Sequence, residues 1–130
     1  MKKTIIFFSI SGLSLLMAFV IGISDNPPGI LLCYVSSASL ILVFIHNWTR
    51  LRSFLILLGT SIVGFFLFVL LHNLFYALAE YSSNIIILKS IFDFLHVITF
   101  IIAVILCPAA LFVAIIATLI IACLRLYNPA

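Results

Sequence analysis

The chain has 130 residues, 67% hydrophobic and 7% charged, with six Lys and Arg, three Asp and Glu and a net charge of +3. Soluble chains are about 45–50% apolar and about 25% charged, so a soluble fold of this composition would expose apolar patches far beyond what soluble monomers carry. A soluble enzyme, a nucleic-acid-binding domain and a disordered segment are excluded, and an integral membrane protein remains.

A span needs about 20 apolar residues to cross a hydrocarbon core of roughly 30 Å. Behind Lys2 and Lys3, the run from Thr4 to Ser24 carries no charge and predicts a first span over about 4–23. Its basic start resembles a secretory signal peptide, with small residues at Gly22-Ile23-Ser24 for cleavage. The run exceeds the usual apolar core of such peptides, about 7–15 residues, so a retained helix is expected. Ser24-Asp25-Asn26-Pro27-Pro28-Gly29 then supplies N-cap residues and prolines suited to a helix's first turn. The second span, about 28–46, follows at once and pairs antiparallel with the first.

His46-Asn47-Trp48-Thr49-Arg50-Leu51-Arg52 breaks the pattern with an indole and two guanidiniums, an interfacial signature. A third span is predicted over 53–79, ending at Glu80-Tyr81-Ser82-Ser83-Asn84. The next forty residues, Ile85 to Leu124, would reach about 60 Å as one helix, twice the hydrocarbon thickness. Lys89, Asp93 and His96, at i, i+4 and i+7, mark residues 85–96 as an amphipathic helix lying at, or rising from, the outer interface. The fourth span, about 97–124, contains Pro108, where a kink is expected. The fold class is therefore all-α: one polytopic membrane domain over residues 1–130, a four-transmembrane-helix bundle with an amphipathic outer extension before the last span.

Basic residues set the orientation. With four spans, Lys2, Lys3, Arg50, Arg52 and Arg125 fall on one side, and Asp25, Glu80 and Lys89 on the other. The positive-inside rule then makes both termini cytoplasmic, and a prokaryotic plasma membrane is the expected location. Trp48 joins these five as an interface anchor.

Small residues recur at every fourth position: Ser14, Ala18 and Gly22 in the first span, Thr60 and Gly64 in the third, and Ala110, Ala114, Thr118 and Ala122 in the fourth. Such faces let helices approach closely in lipid. They serve a compact bundle, a homo-oligomer or contact with another membrane protein. Beyond the bilayer itself, these are the partners expected, and no nucleic acid is. Cys33, Cys107 and Cys123 lie in apolar runs and form no CxxC pair.

Ionisable groups in membrane segments are costly and mark candidate sites. His72, Tyr76 and Glu80 share one helical face at i, i+4 and i+8. Asp93 and His96 follow beyond the short connection, so the two imidazoles stand at matching depth if the helices pair. These five residues form the candidate site. Histidines with carboxylates suit a transition metal, paired histidines could ligate haem, and Glu80 or Asp93 could carry a proton. The competing account is hydrogen bonding between helices with the charges in headgroups, and no cofactor is expected on it. Cys107-Pro108 resembles the Cys-Pro pair of heavy-metal transport helices, but a plain proline kink explains the dipeptide. The reading favoured by the sequence is a small non-enzymatic accessory or interaction subunit. A transporter or a metal- or haem-handling protein using the His/Glu/Asp cluster is the alternative.

Overall fold

The computed structural model describes residues 2–23 and 26–127, without the Arg125 side chain. Ser24 and Asp25 of the first predicted turn lie outside the described residues, as does the tail from Asn128. The described chain is helical, and four helices are long and apolar enough to cross a membrane. The elements are α1 (Lys2–Ile21), α2 (Pro27–Ile45), α3 (Leu51–Tyr81), α4 (Ile86–Ile101) and α5 (Cys107–Tyr127), with a π turn over Ile102–Leu106 joining α4 to α5. No break separates the amphipathic segment from the last span: α4, the π turn and α5 form one rod.

The turns follow from local chemistry. Gly22 ends α1 with φ +92°, the left-handed region in which L side chains are strained, and its N–H still bonds the Ala18 carbonyl at 2.9 Å. Asn26 occupies the N-cap position of α2, but its side-chain amide donates back to the Ile21 carbonyl at 2.9 Å and so closes α1. Pro27 and Pro28 then start α2, where a missing N–H costs nothing. At the other end of α2, His46 Nδ1–H donates to the Val43 and Leu42 carbonyls at 2.9 and 3.1 Å, capping the helix. Its Nε2 is left to accept from the Thr4 hydroxyl at 3.4 Å.

Helix packing uses small residues. The buried positions of α1 are Ser11, Ser14 and Ala18, and those of α2 are Gly29, Cys33, Ser36, Ser39 and Ile45. The Ser36 hydroxyl donates to the Ser11 carbonyl at 2.9 Å and accepts from the Ser11 hydroxyl at 3.2 Å. Among the described residues no large side chain is fully buried, while Phe, Leu and Ile side chains cover the outside. This is the inverse of a soluble core, and it follows from the solvent. In lipid, apolar side chains gain nothing by leaving the surface, and close backbone approach holds helices together instead. The surface measures 9207 Å², against roughly 6,800 Å² for a compact soluble chain of this mass.

Close backbone contacts run from α1 to α2, from α2 to the long rod, and from the rod to α3; among the described residues none joins α1 to α3. The spans are thus ordered α1, α2, rod, α3, and α3 keeps one broad side free.

Pro108 dictates the π turn. A proline has no N–H for the carbonyl four residues back and its ring crowds that carbonyl. The ladder widens just before it, with the Cys107 N–H bonding Ile102 five residues back. The carbonyl four residues before Pro108 is Val104, and the Tyr34 hydroxyl of α2 donates to it at 2.7 Å. A tyrosine from a neighbouring helix supplies the donor that the proline lacks, and the kink chemistry becomes an interhelical tie.

Contacts also set depth. Tyr34 meets Val104, so Pro27, at the far end of α2, stands level with about residue 97 of the rod. At 1.5 Å per residue, α3 with its 31 residues reaches about 46 Å and α1 with its 20 about 30 Å. The α3–α4 hairpin therefore runs about 15 Å past the α1–α2 turn.

Candidate functional site

α3 and α4 lie antiparallel, and their register is fixed where Gly64 approaches the Cys107 sulfur. A Cβ added at Gly64 would meet Cys107 Sγ at 3.5 Å, which is ordinary contact. Farther along the pair, His72 of α3 meets His96 of α4. Their rings stack, with centroids 4.1 Å apart and planes 23° from parallel. His72 Nδ1–H donates to the His96 backbone carbonyl at 3.2 Å. A carbonyl only accepts, so the His72 Nδ1 carries a proton. Tyr76 completes the group, its ring 5.4 Å from that of His96.

Two residues that the sequence pattern did not single out support this pair. Thr99 is buried and its hydroxyl donates to the His96 and Leu95 carbonyls at 3.0 and 2.8 Å. The His96 carbonyl thus receives both the Thr99 hydroxyl and the His72 imidazole. Phe100 also packs on His72, ring centroids 5.2 Å apart. The signal for Thr99 was present as the i+3 neighbour of His96, the spacing at which a hydroxyl reaches back along a helix.

Of the five candidate residues, the structure brings His72, Tyr76 and His96 together. Glu80 and Asp93 are exposed on the projecting part of the hairpin, and no salt bridge engages them among the described residues. Among those residues no group of three or more His, Cys, Asp or Glu side chains converges as a metal site would require. The histidines oppose ring faces rather than ring nitrogens. The pair also stands at the level where α1 and α2 end, a boundary at which polar groups are tolerated.

Lys2, Lys3, Trp48, Arg50 and Arg52 are exposed at one end of the molecule. Arg125 belongs to the last turn of α5, its side chain outside the described residues. Two of the clefts between helices are apolar. One, of about 280 Å³, lies between α3 and α5 and is lined by Ser61, Phe65, Phe66, Cys107, Pro108 and their neighbours. Another, of about 260 Å³, opens at the basic end among α2, α3 and α5.

The small-residue faces divide in two. Ser14, Ala18 and Ala114 are buried between helices, and Gly64 packs beside Cys107. Gly59 and Thr60 look outward from α3 and line an open groove with Ile56, Val63, Gly64 and Leu67. Compared with known proteins, the chain matches no family model, no curated protein and no solved structure.

Proposed function

We propose that this membrane-spanning chain is a small non-enzymatic accessory or interaction subunit of a prokaryotic plasma membrane, both termini cytoplasmic, which associates with other transmembrane helices through the free side of α3. One observation carries the reading: Asn73, a full carboxamide, is exposed on that side and donates only to its own Val69 carbonyl at 2.8 Å. The rest of the amide can bond a neighbouring helix, and such interhelical side-chain bonds tie transmembrane helices together.

The surroundings of Asn73 support the same reading. Gly59, Val63, Phe66, Leu70, Asn73 and Ala77 recur at alternating intervals of four and three along α3, and all six are exposed. That is a heptad seam, the spacing at which two helices pack knobs into holes. Small residues at both ends of the seam permit close approach, and one amide within it fixes register. The lipid bilayer is the remaining partner, in contact with the rest of the apolar surface.

Crosslinking in native membranes tests the proposal. With Cys33, Cys107 and Cys123 replaced, Val63→Cys is expected to give a discrete adduct with a transmembrane partner, either a second copy or another protein. Asn73→Leu combined with Gly59→Leu should reduce that adduct about tenfold, as expected from an interhelical amide bond plus close packing of 1–2 kcal/mol. His72→Ala with His96→Ala should leave it unchanged. An adduct that depends on the histidines and not on Asn73 would move the function to the histidine pair.

A further inference from the structure

The cleft at the basic end combines two chemistries, an apolar wall and a cationic rim. Its walls are apolar: Leu42 and Ile45 from α2, Phe54 from α3, and Val113 and Ile116 from α5. Its volume of about 260 Å³ admits a length of hydrocarbon chain and falls below the roughly 300–1,000 Å³ of ordinary small-molecule sites. His46 also lines it, but both ring nitrogens are engaged, by the Leu42 and Val43 carbonyls and by Thr4. The wall therefore asks for an apolar guest.

The rim asks for an anion. Trp48 lines the cleft and packs edge-on against Phe54, ring centroids 5.7 Å apart. Arg50 and Arg52 stand between these two wall residues in the chain, and both are exposed. α3 starts at the same place with no side-chain cap on its first N–H groups, which adds the positive end of a 31-residue helix. Lys2 and Lys3 are exposed at the start of α1, next to the Thr4–His46 contact. Glu80 and Asp93 belong to the opposite end. Among the described residues no Asp or Glu side chain neutralises this rim, and the same rim on a second copy would be repelled.

We propose that this cleft is a binding site for an anionic phospholipid of the leaflet at the basic end. One acyl chain enters between α2, α3 and α5, and the phosphate meets Arg50, Arg52 and the first N–H groups of α3. An apolar tail joined to an anionic head matches the wall and the rim together, and basic pockets between transmembrane helices recognise lipid headgroups by the same chemistry.

Trp48 is the one tryptophan in the chain, so its fluorescence reports the cleft directly. The protein is reconstituted in phosphatidylcholine vesicles with a minor fraction of lipid brominated on its acyl chains, either phosphatidylglycerol or phosphatidylcholine. Bromine quenches indole on contact. Brominated phosphatidylglycerol is expected to act with about fivefold higher relative affinity, the scale of one lysine or arginine contact at a membrane surface. Arg50→Gln with Arg52→Gln should remove that preference. Ala117→Phe should remove it too, since Ala117 lines the cleft and the substitution fills it without altering charge. Equal quenching by the two lipids would mean ordinary boundary lipid and overturn the proposal. So would quenching by neither, which would mean that protein covers the cleft, and so would a preference that survives both variants.

Discussion

Gly29→Ala is expected to break the α1–α2 hairpin, at a cost of roughly 3 kcal/mol, the upper end of what overpacking does. A Cβ at this position would overlap the Gly22 carbonyl and come within 3.3 Å of the Ile23 Cα. Both obstacles are backbone, so neither can swing aside as a side-chain tip would. Gly22 cannot yield easily either, because its left-handed conformation ends α1 and aims the chain into the turn. The Ser11–Ser36 bonds lie farther along the same interface and would be lost with the register. Gly12→Ala is the matched control. No atom lies within 4 Å of a Cβ there, and alanine favours the helix by about 1 kcal/mol. Thermal unfolding in detergent micelles compares the two. A Gly29→Ala protein that melts with Gly12→Ala would show that the close crossing is not required.

The second large effect concerns Tyr34 and Pro108. Tyr34→Phe removes the donor from the Val104 carbonyl in a segment where lipid offers no replacement. A loss of about 1–2 kcal/mol is expected, the cost of an unsatisfied acceptor away from water. Pro108→Ala restores an N–H at position 108, and the ordinary helical ladder can then take up that carbonyl. In this background Tyr34→Phe should cost close to nothing, leaving a coupling of roughly 1 kcal/mol in the double-mutant cycle. Strict additivity would mean that the hydroxyl and the proline do not share one carbonyl.

What could be read from the chain itself divides along physical lines. The four spans were legible because charge is expensive in lipid, so the six Lys and Arg and three Asp and Glu stay out of the long apolar runs. The boundaries moved by a residue or two, as at Asn26, where a cap residue serves the preceding helix rather than the following one. The rod was harder. A polar stripe at Lys89, Asp93 and His96 describes a helix lying on an interface or standing out of it equally well, and pairing with α3 makes it stand.

The candidate site shows the same division. Equal depth for His72 and His96 follows from counting residues on either side of a short connection. Ring stacking does not follow, because rotation of α3 about its axis is set by packing such as that of Gly64 on Cys107. For the same reason spacing could not tell which small residues face inward. Ala114 is buried and Thr60 is exposed, and both belong to small-residue faces of identical appearance. Tyr34 left no local trace, since its partner lies 70 residues away. Its trace was instead Pro108, which announces a carbonyl in need of a donor.

The proposed topology has four spans with the basic end inside and the α3–α4 hairpin outside. Cysteine labelling of intact cells tests this most directly. With the native cysteines replaced, Ser83→Cys at the hairpin tip and Asn47→Cys between α2 and α3 both present exposed positions. A membrane-impermeant maleimide should label position 83 in intact cells and position 47 only after permeabilisation. The opposite pattern would invert the orientation, and labelling of both from one side would contradict α3 as a membrane span.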